Sequence, residues 1–337
     1  MEKQPLLGTR QEHHHPNSCI KLVCEVILIS LASVSLLVDV IVNILARVSD
    51  ATKFGFLNQT GDIETQVTPA WWVFPVMWWL SYAWQAVWLL YGWTFMCRPS
   101  TRRPIFWGVY STFVLVCATN IAWLYTWGNQ DVKLALAFVV LLALSLYGAV
   151  SILSYHLYRK TAVLEEEGAR CDLWLTRIIV LNGLAIFATW VTVVMCLNIG
   201  VVIQSSGHSD VELSEGPGSG SGGGGSGSGG GLNSPLDADA GTVTLALLAL
   251  LITVYFVLEN TVLDRFARFV LVVYPTVIWV LAGILAQLWN KYENRRNQIF
   301  AAIFFVVVVI LGCVRVVLLI LFACVRPVGR PEKLEYV

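Results

Sequence analysis

Residues 68–93 read TPAWWVFPVMWWLSYAWQAVWLLYGW, a stretch that holds seven of the chain's fourteen tryptophans. It contains no charged residue. As a helix it is long enough to cross about 30 Å of hydrocarbon, which takes about 20 residues. The surrounding chain has the same character. Hydrophobic residues make up 57% of the 337 and charged residues 13%, against about 25% charged in soluble domains. The formal net charge is zero, and no block of like charge suggests a nucleic-acid partner.

Working outward, largely apolar runs fall near 22–46, 70–96, 105–127, 132–157, 174–203, 241–258, 269–289 and 299–324. The predicted fold class is all-α: a polytopic membrane protein with about eight transmembrane helices, five before a Gly/Ser-rich segment and three after it. The run 241–258 is the shortest, and little more than the polar cluster Glu259, Asn260, Asp264 and Arg265 parts it from the next. The tail before the first run is polar and no small-residue cleavage pattern follows that run, so the first helix is expected to be retained.

An even number of spans puts both termini on one side. Placing them in the cytosol collects Lys3, Arg10, Lys21, Arg98, Arg102, Arg103, Arg159, Lys160, Arg170, Arg265, Arg268, Arg326, Arg330 and Lys333 there. That is the orientation the positive-inside bias favours. Arg47, Lys53, Lys133 and the basic residues of NKYENRR oppose it. The sequon Asn58-Gln59-Thr60 then lies in the first outer loop, where glycosylation of Asn58 is expected. The tail EKQPLL fits an acidic dileucine signal with Glu2, Leu6 and Leu7 as its elements, so clathrin adaptors are a candidate partner. Short matches of this kind also arise by chance. The expected location is a secretory-pathway, plasma or endolysosomal membrane.

The expected domains are a cytosolic tail at 1–21, a five-helix bundle at 22–203, a flexible outer loop at 204–240, a three-helix membrane region at 241–325 and a cytosolic tail at 326–337. The loop contains SEGPGSGSGGGGSGSGGG, which cannot bury enough apolar surface to offset its backbone entropy.

Interfacial preference accounts for Trp71, Trp72 and Trp93 near the ends of the second helix. Trp78, Trp79, Trp84 and Trp88 lie deeper, and each indole N–H there needs an acceptor inside the bundle. At about 100° per residue, Trp71, Trp78, Tyr82 and Gln85 share one face. Such a face suits an apolar pocket for a flat hydrophobic ligand. It suits helix packing equally well.

The order of residues carries a further signal. WVFPVMWWLSY, residues 72–82, resembles the second-helix motif of the translocator protein family, also called tryptophan-rich sensory protein or TspO/MBR, which reads roughly W-V-F-G-P-V-W-x-x-L-Y. Trp72, Val73, Phe74, Trp78 and Tyr82 fall on its positions, Pro75 stands one place early and Ser81 replaces a Leu. ATNIAWLYTWG, residues 118–128, resembles the family's third helix and places Asn120, Trp123 and Gly128. ATWVTVVMCLN, residues 188–198, resembles its fifth, with Trp190 eight residues before Asn198.

The resemblance spans about 22–203. It implies a TspO-like five-helix bundle whose apolar cavity opens toward the first loop and takes tetrapyrroles, sterols or other hydrophobic compounds. Carried over by position, Trp72, Phe74, Trp78 and Tyr82 form one wall, Asn120 and Trp123 a second, and Trp190 and Asn198 a third. The two asparagines suit interhelical hydrogen bonding as well as ligand anchoring. After Asn198 the chain reads IGVVIQSSGH and lacks the Tyr and basic residue of the family's sterol-linked pattern.

Glu25, Asp39, Arg177 and Arg315 sit within or at the edges of spans, where each costs several kcal/mol unless paired or hydrated. Glu25 is expected to pair with Arg177 or Arg315, Asp39 has no evident partner, and Arg315 is expected to dock the last three helices onto the first five. No metal-ligand spacing, nucleophile elbow or phosphate-cradling loop is present. The expected role is therefore non-enzymatic, without cofactor or metal. It is binding or translocation of a hydrophobic small molecule, with membrane lipid as a further partner and a homo-oligomer left open. The rivals are an ion- or proton-coupled transporter using Asp39 and Arg315, and a scaffold with a vestigial pocket.

Overall fold

The structure, a computed structural model, describes residues 16–48, 65–97, 107–214, 235–291 and 295–325. Asn58, Glu2, Leu6 and Leu7 lie outside the described residues. Among those described every regular element is helical. We number the long helices α1 (Pro16–Val48), α2 (Val73–Thr94), α3 (Trp107–Gly128) and α4 (Val132–Glu166). Helix α5 follows in three parts, Arg170–Leu175, a π-helical turn Thr176–Leu181, and Asn182–Ser214. After it come α6 (Pro235–Asn260), α7 (Val273–Lys291) and α8 (Arg295–Val325), with a short helix Asp264–Ala267 between α6 and α7. The protein is thus an all-α, polytopic membrane protein.

Seven of the eight are long and apolar enough to cross a membrane by length and composition. Helix α2 falls outside that group although it carries no charge and its 22 residues extend about 33 Å. Its indoles, phenols and Gln85 lower its mean hydropathy. Both ends of the segment predicted as an outer loop, 204–240, are helical: α5 continues through Ser214 and α6 begins at Pro235. The Gly/Ser run starts only beyond Ser214, and the polar residues before it are compatible with a helix that has left the apolar layer.

Local chemistry sets the turns. The link between α3 and α4 has three residues: Gln130 takes a left-handed conformation and the Asp131 side chain accepts the Leu134 N–H. That cap satisfies one of the N–H groups a helix start leaves open, and it makes α3 and α4 antiparallel neighbours. Gly168, at φ 72°, ends the turn after α4, a conformation that other residues rarely adopt.

The first five helices close into a ring in the order α1, α2, α5, α4, α3 and back to α1. Helix α5 is also the platform for the C-terminal helices: α6 packs on α5, α7 packs on α5 and α2, and α8 packs on α6 and α7. Accordingly the spanning segment of α5 is the most buried of the seven and that of α8 the least. Close approach of α5 to α6 depends on Gly200, where a Cβ would stand 2.2 Å from the Thr244 hydroxyl.

Side chains bond carbonyls in and just after the π turn. Trp84 Nε1 donates to Ile179 O at 2.8 Å, Gln85 Nε2 to Gly183 O at 2.8 Å, and Asn182 Nδ2 to Arg177 O at 2.8 Å. Asn182 also donates to Phe269 O and accepts the Leu271 N–H, both at 2.8 Å. It therefore ties the π turn to the segment that leads into α7. The Arg177 guanidinium lies 3.9 Å from the Phe269 ring centroid and over Trp174. Docking of the C-terminal helices thus runs through Asn182 and Arg177.

Arg315 has a different place from the one expected. Its Nε is 2.8 Å from Glu259 Oε1 and its Nη1 donates to Asn260, while the Tyr274 hydroxyl donates to the other Glu259 oxygen at 2.8 Å. The carboxylate beside Arg315 is Glu259, not Glu25. Both members of the pair are buried, so the charge is compensated within the three C-terminal helices rather than across to the bundle.

Candidate functional site

Helix α2 turns Trp78, Tyr82 and Gln85 inward, each at most 4% exposed. Trp71 does not join them: it precedes the helix and is 83% exposed, because the α-helical turn begins only at Val73. The Trp78 ring stacks on Tyr82 at 5.8 Å and on Trp123 of α3 at 5.7 Å, and meets Phe187 and Trp190 of α5 edge-on at 6.1 and 5.9 Å. Phe74 meets Trp190 edge-on at 5.3 Å. Three helices that lie far apart in sequence thus supply one block of rings centred on Trp78.

A polar floor lies against this block. Asn120 of α3 donates through Nδ2 to the Tyr82 hydroxyl at 2.9 Å and to both Asp39 oxygens at 2.9 and 3.0 Å. Asn43, one turn after Asp39 in α1, donates to it at 3.2 Å. Asp39 and Asn120 are fully buried. An ionised carboxylate at this depth is costly, and the two amides offset part of that cost. The partner that Asp39 lacked in the sequence is Asn120, 81 residues away.

Among the described residues, the buried atoms without a hydrogen-bond partner include the Trp190 indole N–H and the Asn120 side-chain carbonyl. Both residues are fully buried. A buried polar atom without a partner is uncommon in native structures and calls for a physical reason.

Of the other predicted site residues, Asn198 accepts from Trp123 Nε1 at 3.4 Å and donates back to Val194 O. It links α3 to α5 at the edge of the ring block. Trp72 meets Trp279 of α7 edge-on at 5.1 Å, at the boundary with the C-terminal helices. Trp88 and Gln85 bond each other at 2.5 Å below the block, and Trp88 packs on Tyr110 and Phe113. Trp79 is half exposed toward the lipid.

Phe187 and Asn43 belong to the site and were not singled out in the sequence. Phe187 stands three residues before Trp190, and Asn43 four after Asp39, so each shares a helix face with a residue already marked. Among the described residues no group of three His, Cys, Asp or Glu side chains stands ready to hold a metal ion.

The first loop is also held by the C-terminal helices. Ala70 N–H donates to Gly283 O in α7, and Asn297 of α8 donates to the buried Gln66 side chain. Residues 65–70 are therefore tied to α7 and α8.

Comparison with known proteins gives one result. A family model described as TSPO-like protein matches residues 28–217, which runs from α1 to just past α5 and leaves α6, α7 and α8 outside. Neither the curated proteins nor the solved structures give a match.

Proposed function

Because the chain belongs to the TSPO-like protein family, matched over more than half its length, we propose that it binds a hydrophobic small molecule at the ring block, without covalent chemistry. The ligand class is a flat apolar compound such as a tetrapyrrole, a sterol or another lipid. The walls are Trp72, Phe74, Trp78, Tyr82, Asn120, Trp123, Trp190 and Asn198, joined by Phe187.

The observation that carries this assignment is the pair of unpartnered buried atoms. Trp190 offers a donor and Asn120 an acceptor inside an aromatic, water-poor enclosure. A flat ligand with both an acceptor and a donor, as a tetrapyrrole has, satisfies both and stacks on the rings between them. The rings touch one another in the structure, so entry of such a ligand requires Trp78 to swing away from Trp123. The same mutual contact favours a second reading, in which the block is packing and the chain a membrane scaffold.

Transport coupled to protons or ions is the other rival. Its two proposed charges lie in separate clusters, Asp39 with Asn120 and Arg315 with Glu259. The separating experiment is Asp39→Asn, assayed for porphyrin binding in detergent and for ligand uptake into proteoliposomes under a pH gradient. Retained binding with no change in gradient-driven uptake supports a binding site with a structural carboxylate. Retained binding with abolished gradient-driven uptake supports the transporter.

For location we propose a secretory-pathway, plasma or endolysosomal membrane with both termini cytosolic, glycosylation at Asn58, and adaptor recognition through Glu2, Leu6 and Leu7.

A further inference from the structure

Outside the ring block, α4, α5, α6 and α7 enclose a cleft of about 570 Å³. Its lining runs along α4 from Tyr147 to Tyr155 and along α6 from Leu248 to Leu258, and the short helix Asp264–Ala267 closes one end with Phe266. At 1.5 Å per residue those stretches make the cleft about 12–15 Å long. No Asp, Glu, Lys, Arg or His contributes to the lining. Small side chains on α5, Ala185, Ala188 and Thr189, keep the floor low and the cleft deep.

Most of this wall lies on helices long and apolar enough to cross a membrane, and an apolar lining on such helices suits contact with hydrocarbon. Left empty, the lining atoms would forfeit their dispersion contacts, and water would find few polar partners there. An alkyl chain from the bilayer meets neither objection.

The end closed by Phe266 is different in chemistry. Phe266 packs against the Tyr155 and Tyr158 rings at 6.4 and 5.2 Å. The Arg159 guanidinium lies over Tyr155, 5.9 Å from its centroid, and its side chain is exposed. Arg265, beside Phe266, is exposed as well, whereas Arg268 is held by Asp264 at 2.5 Å. An apolar channel with exposed guanidinium groups beside one end matches a lipid with an anionic head.

We propose that this cleft is a site for one anionic phospholipid, its acyl chain lying along α5 and its phosphate held by Arg159 and Arg265. The α6 and α7 walls lie beyond the family match, which ends at residue 217. The site therefore needs α6 and α7 against α4 and α5, and its lining shares no residue with the ring block.

Native mass spectrometry of the full chain in mild detergent tests it, with phosphatidylserine and phosphatidylcholine of identical acyl chains as probes. The expected result is one retained lipid per chain, with phosphatidylserine preferred at least about fivefold, the preference a single interfacial cation confers. Arg159→Gln with Arg265→Gln should abolish the preference. Ala188→Phe, which fills the floor, and Leu251→Trp, which fills the more open wall, should each remove the retained lipid. Should Ala188→Phe fail to fold, Leu251→Trp and the surface arginine pair decide. Undiminished retention in the filled variants, equal retention of the two lipids by the unaltered chain, or displacement by inorganic phosphate alone would each overturn the assignment. Porphyrin binding measured on the same variants should not change, so failure of the cleft and failure of the ring block are distinguishable.

Discussion

Replacing Asn182 with Ala removes three hydrogen bonds at once, each 2.8 Å: to Arg177 O, to Phe269 O and from Leu271 N–H. Two of them join the bundle to the segment that leads into α7. Side-chain hydrogen bonds between membrane helices average about 0.6 kcal/mol and reach about 1.7. Buried backbone groups left without a partner cost about 1–3 kcal/mol each. Here Phe269 O and Leu271 N–H lose the partner that Asn182 supplies, and water relieves part of the loss. The expected destabilisation is about 2–4 kcal/mol by these two measures together. It should be read from reversible unfolding in mixed micelles, alongside protease sensitivity of the connection between α6 and α7. Asn182→Asp, which keeps the acceptor for Leu271 and loses both donors, should be no more stable than Asn182→Ala. A loss below about 0.5 kcal/mol in Asn182→Ala, less than one average interhelical bond, would refute the view that this amide docks the C-terminal helices.

Arg315→Leu leaves Glu259 buried without its counter-charge and should cost about 3–5 kcal/mol, while the double change Arg315→Leu with Glu259→Leu should recover most of it; a double variant as unstable as the single one in the same unfolding assay would contradict the pairing. Gly200→Val drives side-chain atoms into Thr244 and should destabilise by about 1–3 kcal/mol, with partial rescue by Thr244→Ala; no rescue in the double variant would argue against the contact. Trp190→Phe deletes an N–H that has no partner among the described residues, so its loss of stability should be only the volume change of a core ring, about 1–3 kcal/mol, while porphyrin affinity should fall further than stability does; unchanged affinity in a binding titration would remove Trp190 from the site.

Much of the ring block was legible in the sequence because its members repeat at helical spacing and occupy ordered positions in three separate motifs. Trp78, Tyr82, Trp123 and Trp190 come into direct contact, where the resemblance implied three walls around a cavity. Trp71 misled the face argument because periodicity assumes a helix already under way, and the turn begins two residues later. The bond between Asp39 and Asn120 was not legible: it links α1 to α3, and single-helix periodicity carries no information about pairing across helices. The π turn was hidden for a related reason. Trp84, Gln85 and Asn182 bond carbonyls in and just after it, and two of these side chains lie on another helix. Arg315 was placed against the wrong group because Glu259 reads in sequence as part of a polar connection, whereas in the fold it is fully buried.

The most direct test of the ligand site is quenching of intrinsic tryptophan fluorescence by a porphyrin titrated into the full-length protein in detergent, compared with Trp78→Phe and with empty micelles. Trp78 touches four other rings of the block, so a ligand seated there should quench saturably, with one porphyrin per chain, and the variant should bind more weakly. Linear, unsaturable quenching that is equal in the unaltered protein and the variant would mean that the porphyrin only partitions into the micelle, and the indoles would then be packing.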